Sequence, residues 1–159
     1  MGGDLGRRYL LGLVLLLGCS GLAAAKDIAL IANKSNHLVD VTQPELVRIC
    51  KGQTSHWPDG KAVSLVTRDP SAPEMRLVLE KIYGLSKEEV AELIATANHN
   101  RMNHPAIVVA ESDQDLVKKV ESTPGAVGLV DVYAITGGVT VVRVSGKLPL
   151  EPGYLLHGN

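Results

Sequence analysis

The chain has 159 residues and no phenylalanine; one tryptophan and four tyrosines bring the aromatic share to 3%. Its core must therefore be mostly aliphatic. Cysteine is almost as scarce. Cys19 lies in a segment expected to be removed or lipidated, so Cys50 has no partner and an intrachain disulfide is excluded. An excess of positive charge is missing as well: the formal net charge is −1, which argues against nucleic acid as a main partner. Tyr9–Leu17 is too short and too broken by glycine to span a membrane. Repeats and low-complexity tracts are absent. So are Ser-His-Asp and paired-carboxylate patterns, and the chain is expected not to be an enzyme and to need no cofactor. Cys50 and His56 are the nearest pair to a nucleophile and base, but Cys50 sits four residues after Leu46 on an apolar helix face and reads as a core thiol. His99 and His104 are five apart in a polar loop without an acidic or cysteine companion, so no metal site is expected there.

What is present begins with a leader. Arg7-Arg8 forms a basic start, Tyr9–Leu17 an apolar middle, and Ala23-Ala24-Ala25 a small-residue cleavage site before Lys26. Residues 1–25 are expected to be a signal peptide and residues 26–159 the mature domain, in the periplasm or another extracytoplasmic compartment. Two other readings compete. Leu16-Leu17-Gly18-Cys19 resembles a lipobox, which would tie the protein to a membrane through Cys19, and Arg7-Arg8 faintly resembles a twin-arginine signal. Removing residues 1–25 takes away Arg7, Arg8 and Asp4 and moves the formal charge from −1 to −2.

The stretch Ala62–Gly84 reads as strand, loop and helix. Val63, Leu65 and Val66 have strand character, and Arg68-Asp69-Pro70-Ser71 breaks the run. Ser71 with Glu74 three residues on forms a capping-box pattern, Pro73 suits a first helical turn, and Gly84 sits where a C-terminal cap belongs. A strand feeding a helix N-terminus leaves backbone N–H groups that attract anions, and Arg68 adds a charged donor fork beside them. Arg68, Ser71 and Ala72 are the candidate anion-binding residues. The plainer alternative is a surface arginine and a simple helix cap.

The remaining elements follow in order. Asp27–Ala32 is a buried strand by composition, and Thr42 with Glu45 opens a helix through Cys50 that Gly52 could end. Trp57-Pro58-Asp59-Gly60 carries a turn, with Trp57 packing over the core edge. Ser86 with Glu89 opens another helix with Val90, Leu93, Ile94 and Ala97 on one side. Ala106–Ala110 is a strand, and Ser112 or Asp113 caps a helix bearing Leu116, Val117 and Val120. Thr123-Pro124-Gly125 turns into the strand Ala126–Val130, where Gly128 signals close backbone approach. Val139–Val144 is the last strand, and a Pro/Gly-punctuated tail follows. Strands alternating with helices predict an α/β layer fold with a mixed sheet, whose ligands sit beyond the C-terminal strand ends.

Four motifs occur together and in order. Pro44–Gln53 resembles an "LxxIFxGK" helix, and His56–Gly60 an "xWxDG" loop. A strand then ends in Arg68-x-x-Ser71, and Ser122–Val130 is similar to "xTPGAIGYV". Across residues 27–145 the set resembles the periplasmic phosphate-binding proteins of ABC transporters. The resemblance implies a type II periplasmic binding protein-like fold, in a single three-layer lobe corresponding to the second of that family's two. It also implies that Arg68 matches the family's phosphate-binding arginine. Ser71 matches the serine of its Ser-Gly-Thr run if the loop is one residue shorter, with Ala72 replacing the glycine and Pro73 the threonine. Pro73 removes an N–H donor, and Glu74 puts a carboxylate where an anion would sit.

The resemblance therefore implies a binding-protein-like module that takes phosphate or a related small oxyanion weakly. The competing expectation is a ligand-free accessory module whose partner is a periplasmic protein. The leader reading is tested by intact mass: the exported protein should begin at Lys26. A mass retaining residues 1–25 on protein recovered from the cytoplasm would overturn it, and a lipidated Cys19 would establish the lipoprotein reading.

Overall fold

Ile28–Asn33 is apolar at every position but the last and buried along its whole length. Such a segment can only be an inner strand of a sheet covered on both faces. The computed structural model describes residues 26–101 and 103–158, and the proposed leader lies outside them. Within them Ile28–Asn33 is β1, at the middle of a six-stranded mixed sheet. The other strands are β2 (Asp40–Val41), β3 (Ser64–Arg68), β4 (Ile107–Ala110), β5 (Ala126–Asp131) and β6 (Val139–Val144). The order across the sheet is β2-β6-β1-β5-β3-β4. β1 runs antiparallel to β5 and β6, whereas β3 is parallel to both β4 and β5.

Alternation along each strand divides the core into two layers. Leu30, Leu65, Val127, Leu129 and Val142 face one way. They pack against α1 (Gln43–Cys50), the helical segment α2 (residues 73–83), and α3 (Lys87–Ala97). Ile31, Val66 and Val130 face the other way, against α4 (Asp113–Ser122) alone. The expected three-layer lobe is present, with helices on both faces of the sheet.

Two of the three expected capping boxes form. Thr42 accepts from Glu45 N while Glu45 reaches back to Thr42 N, and Ser86 and Glu89 do the same. The Ser71–Glu74 box does not form. Asp69 is the reason: its carboxylate accepts both the Ser71 N–H, at 2.8 Å, and the Ser71 hydroxyl. This Asx-type turn holds Ser71 in the loop, so the helix starts after Ala72, which has no capping side chain. The segment opens as a 3₁₀ turn (Pro73–Met75), passes through α (Arg76–Val78) and widens to a π turn (Leu79–Tyr83). Gly84 ends it as expected, at φ 60°, donating its N–H to Leu79 O at 2.8 Å. The widened turn leaves both Ile82 and Tyr83 buried, and the Tyr83 hydroxyl donates to Cys50 O.

The turn before β5 joins three loops. Gly125 O accepts the Trp57 indole N–H at 2.8 Å, and Gly125 N donates to the Asn36 side chain at 2.7 Å. Asn36 returns a bond to Ala126 O. Gly125 has φ 87°, and a Cβ there would lie 2.0 Å from Ala62 O. Three residues later, a Cβ on Gly128 would meet Leu116 at 2.8 Å and Val120 at 3.0 Å. The strand is glycine there because α4 side chains lie directly on it; the backbone approach expected from the sequence is present too, at Val66 O, but is the longer contact at 3.1 Å.

Edge strand β4 and the start of β1 also find partners. Asn98 donates to Ile107 O and accepts from Ile107 N, occupying the free side of edge strand β4 at that residue. The tail returns to β1: Ile28 N bonds Leu156 O, and the Tyr154 hydroxyl donates to Ile28 O. Asp27, 1% exposed, accepts from Leu150 N, His157 Nδ1 and Gly158 N.

These contacts set two expectations. Gly125→Ala should lower unfolding stability by more than about 2 kcal/mol, combining left-handed strain with a backbone clash, and Gly128→Val by about 1–3 kcal/mol from overpacking. Denaturant unfolding measures both, and an unchanged midpoint for either variant would overturn its assignment. Cys50 is fully buried, and burial pushes its thiol up to about 12 from 9.0. The folded state therefore holds that proton more tightly than the unfolded one. The contribution is complete below the ordinary thiol value and is lost as pH rises from about 9 toward 12. Cys50 should be inert to thiol reagents in the native protein and react once denaturant unfolds it.

Candidate functional site

β3 and β5 run parallel, so their C-terminal ends lie at one margin of the sheet, together with the start of β1. Arg68 is the last residue of β3 and is in register with Ala110, the last of β4. The chain leaving β4 soon enters α4, capped by Ser112. That short connection brings Asp113, in the first turn of α4, to face Arg68. Arg68 Nη1 lies 2.7 Å from Asp113 Oδ1 and 3.8 Å from Glu74 Oε1. Both the Arg68 and Asp113 side chains are only 17% exposed. A short, charge-assisted contact of this kind is among the stronger side-chain bonds, and Asp113 also suits the positive end of α4. Among the described residues, Arg68 Nε and Glu74 Oε2 are buried without a hydrogen-bond partner.

The three residues expected to bind an anion stand close together in the chain, but apart from Arg68 Nε the donors they would use are largely engaged. Arg68 is held by two carboxylates. Ser71 N and its hydroxyl are bound to Asp69, and Ala72 N donates to Asp69 O at 2.9 Å. Pro73 has no N–H to offer. The Asp69 carboxyl is held below its usual range, chiefly by the Ser71 hydroxyl and then by the Ser71 N–H, with Arg68 contributing.

Further charges sit at the same margin. Lys26 Nζ lies 3.0 Å from Asp131 Oδ2. Its ammonium is pushed above the usual lysine range by that hydrogen bond first, with Asp113 and Glu74 adding smaller attractions. Asp69, Glu74, Asp113 and Asp131 therefore surround two cations, Arg68 and Lys26. The local field opposes an incoming anion unless a carboxylate moves or is neutralised.

Glu74 was visible in the sequence as a competing carboxylate. Asp113 was visible only as a cap candidate, because it lies 45 residues from Arg68 and the parallel pairing of β3 with β4 creates the contact. Cys50 and His56 do not form a catalytic pair: Cys50, the last residue of α1, is buried on that helix's inner face, while the exposed His56 ring sits in a loop within reach of Ser55 Oγ.

No family model and no curated protein matches this sequence. Solved structures do match its fold. An ABC-type phosphate transport receptor from Vibrio cholerae is 18% identical with a TM-score of 0.67, over 84% of this chain and 54% of the receptor. PstS from Borrelia burgdorferi is 15% identical with a TM-score of 0.64, over 84% of this chain and 55% of that one. A phosphate-binding protein from Stenotrophomonas maltophilia is 17% identical with a TM-score of 0.62, over 79% and 40%. The chain thus spans about half the length of these structures or less. The mixed sheet and its two helical layers have the fold of one lobe of an ABC-transporter phosphate-binding protein.

Proposed function

We propose that this chain is an extracytoplasmic, non-enzymatic binding module whose Arg68 end takes phosphate or a related small oxyanion only weakly. The observation that carries the reading is the Arg68–Asp113 contact at 2.7 Å, at a strand end in a phosphate-binding-protein fold. The fold and the arginine favour an oxyanion, and the carboxylates limit it. A hydrogen bond to a charged group contributes about 1.5–3 kcal/mol. An oxyanion that displaces Asp113 gains only the difference between two such bonds. Against the entropy lost on association, that difference leaves affinity on the order of millimolar or weaker. Residues 1–25 as leader and 26–159 as the working domain complete the proposal, with a membrane tie only through Cys19.

A second reading is favoured by the Asp69 turn, which consumes the Ser71 and Ala72 donors. On that reading the module binds no small ligand and serves as an accessory to another periplasmic protein.

Phosphate titrations by thermal shift at low salt distinguish the two, because a ligand selective for the folded state raises its stability. The parent should respond only at millimolar phosphate or above. Asp113→Asn combined with Glu74→Gln should respond at least tenfold more sensitively, and adding Arg68→Ala should abolish the gain. Micromolar binding by the parent would overturn the carboxylate restraint. No response in the Asp113→Asn, Glu74→Gln protein would leave the accessory reading in its place.

A further inference from the structure

The two faces of the sheet are covered unequally. Three helical segments lie on one face and α4 alone on the other. A helix is about 10 Å wide and strands are about 4.8 Å apart, so one helix covers about two strands. α4 packs chiefly on β5, with lesser contacts to β1, β3 and β4, and leaves the N-terminal ends of β3 and β4 open beside it. The result is a cleft of about 950 Å³ at the N-terminal ends of β3 and β5, the opposite end from Arg68.

Its floor is apolar. Val66 and Val108 are paired in register on β3 and β4, and Pro105 extends the floor toward the rim. The rim is basic: Arg101 and His104 come from the α3–β4 loop, His56 from the loop before β3, and Lys119 from α4. No carboxylate lines the cleft among the described residues. Lys119 is shared with Asp115 on its own helix, at 2.7 Å, whereas Arg101 has no ion pair among the described residues. The loop that presents Arg101 is fixed at both ends. Arg101 N donates to Asn98 O, and the Asn98 side chain is bound to both the N–H and the carbonyl of Ile107. The backbone at Arg101 is thus tied to the end of α3.

We infer that this cleft is a second binding site, for a small organic anion with an apolar body. The size falls within the range of small-molecule sites, about 300–1,000 Å³, and an apolar floor with a few convergent polar groups is their usual composition. Inorganic phosphate would use the rim and waste the floor. A neutral apolar molecule would use the floor and leave the rim unanswered. A carboxylate on a short alkyl chain satisfies both, its head on Arg101 and its chain along Val66 and Val108. This site is independent of the Arg68 margin.

Octanoate, octylamine and inorganic phosphate are the probes, followed by backbone amide shifts and calorimetry on the mature protein. Octanoate should bind saturably, with the largest shifts at Val66, Val108 and Thr123. Octylamine should not bind, and phosphate should bind at least tenfold more weakly than octanoate. Arg101→Glu, an exposed change that leaves the thermal midpoint unchanged, should weaken octanoate about tenfold, the size expected for one charged hydrogen bond. Lys119→Gln should weaken it less, since Asp115 already engages that ammonium. Arg68→Ala should leave octanoate binding as it is, so failure here and failure at the Arg68 margin are distinguishable. Equal binding of octanoate and octylamine, phosphate as tight as octanoate, unchanged affinity in Arg101→Glu, or no saturable shifts at these amides would each overturn the assignment.

Discussion

The Gly125 peptide unit is where this lobe is tied together. Its carbonyl accepts the Trp57 indole N–H and its amide donates to Asn36, so three loops separated widely in sequence share one turn. The left-handed backbone at Gly125 and the carbonyl of Ala62 leave no room for a side chain. If the turn moved, β5 would lose its start, and β5 is the strand that pairs antiparallel with β1 and parallel with β3. The tryptophan loop and the Thr-Pro-Gly turn are therefore one structural device. The Trp57 indole N–H and the Gly125 carbonyl satisfy one another in a partly buried place, where an unpaired group would be costly.

With the strands fixed, charge distinguishes the two ends of the sheet. The C-terminal margin gathers carboxylates around Arg68 and Lys26, and short contacts keep both cations occupied. The cleft at the N-terminal ends has basic groups and no facing carboxylate among the described residues. The two ends are thus inverted relative to a simple expectation in which the strand-end arginine is the free cation. Whether a cation can serve an outside anion depends on what the fold has already placed beside it. Sequence proximity to a helix start does not decide that.

Most of the architecture was legible in the chain. Unbroken apolar runs marked β1 and β5, Thr42 and Ser86 marked two helix starts, and Gly84 marked a helix end. These signals are local, involving residues three or four apart, and local physics settles them. The Ser71–Glu74 box has the same spacing and failed, because Asp69, two residues before Ser71, competed for its N–H. The two-residue β2 and the change of pitch from 3₁₀ to π between Pro73 and Tyr83 left no periodic signature. The Arg68–Asp113 pair was illegible for a different reason. It exists only once β3 and β4 lie parallel, and that topology is a property of the whole sheet.

The tail shows how a segment with little periodicity completes the core. Leu148–Gly158 carries proline and glycine and forms no strand or helix. Tyr154 and Leu156 are nevertheless almost fully buried, and Leu156 O takes the amide of Ile28 at the mouth of β1. Asp27 holds the tail from beneath with three accepted bonds, so its own burial is compensated within the lobe. The edge of β4 is blunted by Asn98 in the same spirit. A lobe with its core closed by its own tail and one edge covered by its own side chain satisfies its backbone without a second lobe pressed against those places. Among the surfaces left open, the carboxylate-crowded margin at Arg68 and the cleft beside α4 differ most plainly in charge.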